Sequence, residues 1–67
     1  MKVTVNGNAR ETREGSTVDD VVRELSPGNV RGLAVAVNGE VVPRHTWPAT
    51  ALEEGDSVEI LTAVQGG

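Results

Sequence analysis

The residues best suited to chemistry stand at the end of the sequence, Ala63-Val64-Gln65-Gly66-Gly67. Glycine has no Cβ, so a Gly-Gly pair takes either sign of φ and passes through a slot too narrow for side chains. A free carboxylate on Gly67 is then a reactive group on a thin stalk. An ATP-using partner could activate it as an acyl-adenylate, and a nucleophile could displace the AMP. In that chemistry Gly67 is the reacting residue and Gly66 gives it access. Ala63, Val64 and Gln65 are the stretch that a partner grips. The same residues also suit a frayed terminus, so the tail gains meaning only from what holds it.

The other chemical candidates are weaker. Asp19 and Asp20 form a carboxylate pair, but they fall where a helix begins and its dipole favours negative charge. His45 has no companion at metal-ligand spacing and reads as a surface residue. There is no cysteine, so no disulfide, no thiolate metal site and no thioester on a side chain. A carried acyl or sulfur group would have to sit on the C-terminus. No metal site is expected.

The composition narrows the class further. The chain has 67 residues, enough for one small domain. Ten acidic residues against six basic ones give a formal net charge of −4, and Trp47 is the one aromatic residue. Nucleic-acid binding needs basic patches and stacking aromatics, so it is not expected. No apolar run approaches the roughly 20 residues of a membrane span. A cytoplasmic protein with protein partners is expected.

The tail needs a holder, and the elements of one can be read in order. Lys2-Val3-Thr4-Val5 alternates polar and apolar, as a half-buried strand does. Asn6-Gly7 signals a type I′ hairpin turn, and Ala9 to Arg13 reads as the returning strand. Glu14-Gly15-Ser16 breaks the pattern. Thr17 is a good N-cap with Asp20 three residues on. Val18, Val21, Val22 and Leu25 then form one helical stripe. Ser26-Pro27-Gly28 ends the helix. Leu33 to Val37 is a continuous apolar run suited to a central strand. A second Asn-Gly pair, Asn38-Gly39, turns into Glu40-Val41-Val42, and Pro43 stops that ladder. Arg44 to Pro48 reads as irregular or a single turn, with Trp47 plugging the open end of the core. Ser57 to Thr62 is the last strand and runs directly into the tail.

The predicted order is β-β-α-β-β-β, a two-layer α+β domain over residues 1–62 with a five-residue tail, 63–67. The first and last strands should lie parallel at the centre of a mixed sheet. Alternation assigns the faces. Val58 and Ile60 point to the helix, so Leu61 points away from it. Leu33, Val35 and Val37 point in, leaving Ala34 and Ala36 beside Leu61. These three residues form the expected docking surface.

This order with a Gly-Gly end resembles the ubiquitin-like β-grasp superfamily and, within it, the ThiS family of sulfur carriers for the thiazole ring of thiamine. The resemblance spans essentially the whole chain. It rests on Asn6-Gly7, Thr17-Val18, Val42-Pro43-Arg44 with Trp47, the Gly55-Asp56 turn and the tail. It implies that an adenylating partner similar to ubiquitin-activating enzymes binds the domain and consumes ATP and Mg²⁺ in its own site. A persulfide donor or sulfurtransferase would then convert the Gly67 adenylate to a thiocarboxylate, and thiazole synthase would take the sulfur. The chain itself would bind no cofactor and would be a protein co-substrate, not an enzyme. Three other readings stay open: a sulfur carrier for molybdopterin, a protein modifier, and a β-grasp binding module with an incidental tail.

Overall fold

A computed structural model describes residues 1–28 and 31–62. Among the described residues the strands are β1 (Lys2–Val5), β2 (Asn8–Glu11), β3 (Leu33–Val37), β4 (Glu40–Val42) and β5 (Ser57–Thr62), with one α-helix, α1 (Val18–Leu25). A 3-10 helix, Arg44–Ala49, follows β4. The sheet order is β2-β1-β5-β3-β4. β5 lies at the centre, parallel to β1 and antiparallel to β3. The expected element order and the central parallel pair are both present.

Each hairpin turns where the sequence places an Asn-Gly pair. Asn6 and Asn38 each have φ of 51°, and the glycines after them have φ of 84° and 86°. Positive φ at both central residues gives the turn a twist that matches its strands. Thr17 caps α1 in both directions. Its hydroxyl accepts from the Asp20 N–H at 3.2 Å, and the Asp20 carboxylate accepts from the Thr17 N–H at 2.9 Å. This capping box satisfies two backbone donors that a helix start otherwise leaves open.

The core lies between α1 and one face of the sheet. Val3, Val5, Val35 and Val58 meet Val18, Val21 and Val22 there, with Trp47 and Leu52 closing the side. Trp47 is 1% exposed, and its indole N–H donates to the Val42 carbonyl at 2.9 Å. That bond lets a polar group be buried without an unmet donor. Around the helix start, the Leu52 N–H bonds the Ser16 carbonyl and the Val18 N–H bonds the Thr50 carbonyl. These bonds tie the segment before β5 to the cap of α1.

Three expectations are corrected. β2 ends at Glu11, short of Arg13, because the chain is already turning. The Ser16 N–H bonds back to the Arg13 carbonyl, and Gly15 has φ of 84°. Leu25 belongs to the apolar stripe but is 40% exposed at the last residue of α1. It borders a shallow groove with Leu33 and Ile60. The segment after Pro43 is a regular 3-10 helix extending to Ala49 and including Pro48.

Candidate functional site

The site is built on β5. Its alternation sends Val58 into the core at 0% exposure and Leu61 out to solvent at 60%. Strand register sets what surrounds Leu61. Ala34 of β3 is directly opposite it, and Ala36 is opposite Glu59. On its other side Ala36 faces Val41 of β4. Directly paired residues share a face, so Leu61, Ala34, Ala36 and Val41 form one apolar patch on the side away from α1. Glu59 breaks into it from β5. Across β5 the same face turns polar, with Ser57 paired to Thr4 and Lys2 paired to Glu11. The patch is therefore confined to the β3-β4-β5 half of the sheet.

Leu61, Ala34 and Ala36 were named from alternation, and the structure brings them together with Leu61 protruding and Ala34 exposed. Val41, 77% exposed, completes the patch and was not named. Its position between Glu40 and the half-buried Val42 was a usable signal, because Val42 packs against the core and its neighbour must then point away. Ala63, Val64, Gln65, Gly66 and Gly67 lie outside the described residues. The patch ends at β5, whose last residue, Thr62, directly precedes them.

The paired aspartates have structural roles. Asp20 is held in the capping box, and Asp19 pairs with Arg23 at 2.8 Å on the same helix face. His45 is exposed. Among the described residues no cluster of three His, Cys, Asp or Glu side chains is placed to hold a metal ion. A polar groove of about 570 Å³ lies beside α1, lined by Glu11, Asp20 and Glu24 with Arg13 as its one basic member. Three carboxylates around it disfavour a polyanionic ligand. Among the described residues no helix is long and apolar enough to cross a membrane.

A five-stranded mixed sheet grasping one helix, with β1 and β5 parallel at its centre, defines a ubiquitin-like β-grasp protein. A crystal structure of the thiamine biosynthesis protein (ThiS) from Geobacter metallireducens matches with a TM-score of 0.85, covering 100% of both chains at 33% identity. The model of the ThiS family matches residues 3–67, and the chain belongs to that family. The sulfur carrier protein ThiS of Thermus thermophilus is 35% identical over 97% of this chain and 98% of its own. A thiazole synthase of Paramagnetospirillum magneticum is 34% identical over 100% of this chain but only 20% of its own length.

Proposed function

We propose that this protein is a sulfur carrier of thiamine biosynthesis whose Gly67 carboxylate is the carrying group. The observation that supports this most is the ThiS-family match, which runs through the Gly66-Gly67 pair. In this reading an adenylating enzyme docks on the patch around Leu61, Ala34 and Ala36, grips Ala63, Val64 and Gln65, and receives the two glycines in its ATP site. The Gly67 carboxylate attacks the α-phosphate and pyrophosphate leaves. A persulfide sulfur then attacks the acyl-adenylate carbonyl, and AMP leaves. Thiol cleavage of the resulting acyl disulfide yields the thiocarboxylate and a disulfide on the donor. ATP and Mg²⁺ belong to the partner, which supplies the groups that stabilise the phosphate charge. This chain contributes the carboxylate, its stalk and the docking surface.

Thiazole synthase is the proposed acceptor of the sulfur. A protein of that name contains a segment similar to this whole chain. Joining a carrier to its consumer raises their effective concentration without any new contact.

The test is intact mass spectrometry after incubation with an adenylating enzyme, ATP and a sulfur donor. Replacement of one oxygen by sulfur at Gly67 is expected, and deleting Gly67 should abolish ATP–pyrophosphate exchange. Stable conjugates to lysines of other proteins, with no thiocarboxylate, would point to a protein modifier instead.

A further inference from the structure

We infer that Asn6 is a positioning residue, whose side chain fixes the exit end of β5, Ile60 to Thr62, the base from which the carrying residues are presented. The inference rests on the carrier reading, in which the placement of that base matters for the reaction. In a parallel ladder, alternate residues of one strand bond to its neighbour. On the β1 side the accepting residues are Asp56, just before β5, and Val58 within it, which take the N–H groups of Thr4 and Asn6 at 2.9 Å each. Ile60 is next in that series. The backbone has by then turned away into the hairpin, with φ of 51° at Asn6 and 84° at Gly7. The Asn6 side chain takes the missing place. Its Nδ2 donates to the Ile60 carbonyl at 3.2 Å, and its Oδ1 accepts from the Ile60 N–H at 2.9 Å. A carboxamide carries the same donor and acceptor as a peptide group, so it adds one more rung to the ladder.

The location of that rung gives it its role. Beyond Ile60, the strand pairs of β5 among the described residues are with β3, Ala34 to Leu61 and Leu33 to Thr62. Among the described residues, the Asn6 clamp is thus the last hydrogen-bonded attachment of β5 on the β1 side. Without it, the end of β5 hangs from one neighbour from Val58 onward and can swing about β3.

Asn38 provides an internal control. It has the same φ and is likewise followed by glycine. Its side chain also binds the β5 region, but at the entry end. Oδ1 accepts from the Ser57 N–H and Nδ2 donates to Asp56 Oδ1, both at 3.0 Å. Asn6→Gly and Asn38→Gly therefore each remove two comparable bonds while keeping a turn that tolerates positive φ.

The experiment compares the two variants in the full chain. It measures ATP–pyrophosphate exchange with an adenylating enzyme, hydrogen exchange of the Ile60 amide, and thermal unfolding. Both variants should lose similar stability. Asn6→Gly should lower kcat about tenfold with KM within about twofold, as expected when reacting groups are misplaced but docking is intact. Its Ile60 amide should exchange faster. Asn38→Gly should leave kcat, KM and Ile60 exchange near wild type. Asn6→Asp, which replaces the donor by a carboxylate oxygen facing the Ile60 carbonyl, should lower kcat at least as far as Asn6→Gly. Equal kcat for Asn6→Gly and Asn38→Gly would overturn the inference while leaving the carrier reading intact. A wild-type chain that supports no exchange would instead refute the carrier reading itself.

Discussion

The two faces of the sheet use the same kind of side chain to opposite ends. On the helix side, Val3, Val5, Val35 and Val58 are buried against α1. On the other side, Leu61 and Val41 stand 60% and 77% exposed beside two alanines. Val58 and Leu61 are three residues apart on one strand, so their odd spacing places them on opposite faces. An aliphatic residue here either holds the fold or stays available to a partner, and its position along the strand decides which. The buried side is also sealed by Trp47, while the exposed patch is shallow and interrupted by Glu59.

Substitutions on each side should separate stability from binding. The largest effect is expected for Trp47→Ala, which removes a fully buried ring and the donor to Val42, and should cost about 3–5 kcal/mol in chemical denaturation. A domain of this size has little stability to spare, so much of the protein should be unfolded. Leu61→Asp should weaken affinity for the proposed adenylating partner by about 2 kcal/mol, roughly 30-fold in Kd, as for a hot spot. Calorimetric titration and thermal unfolding should be measured on the same sample, because stability should change by no more than about 0.5 kcal/mol. A large fall in melting temperature would break the two-face comparison, and unchanged affinity would move the docking surface elsewhere.

Smaller effects sharpen the comparison. Thr17→Ala removes half of the capping box on the buried side and should cost about 1 kcal/mol of stability with Kd unchanged. Val41→Asp, at the far edge of the patch, should cost no more than about 1 kcal/mol of affinity, since contacts away from an interface centre are nearly neutral. The smallest effect expected is on association rate. The net charge of −4 favours steering toward a basic surface, so the on-rate should fall as salt rises. Stopped-flow measurements that show no salt dependence would remove charge from the account of docking.

Much of this protein was determined by signals that act over a few residues. The Asn-Gly pairs dictate tight turns because few residues accept positive φ. Thr17 and Asp20 mark a helix start because each side chain reaches the other's backbone. Alternation along β5 placed Leu61 opposite to Val58 without reference to any other strand. The tail chemistry was suggested by residue type, but the Gly66-Gly67 pair alone suits a frayed end equally well. Tertiary structure decided what lies beside what. Ala34 meets Leu61 only because β5 inserts between β1 and β3, and Val41 joins the patch only through the register of β4 on β3. Leu25 keeps its helical phase yet stays 40% exposed, on a groove shared with Leu33 and Ile60. Asn6 is a turn residue by sequence and a clamp on Ile60 by structure, across 54 positions of chain. Local sequence specifies each element's conformation and facing, while lateral neighbours arise from packing between segments far apart in the chain.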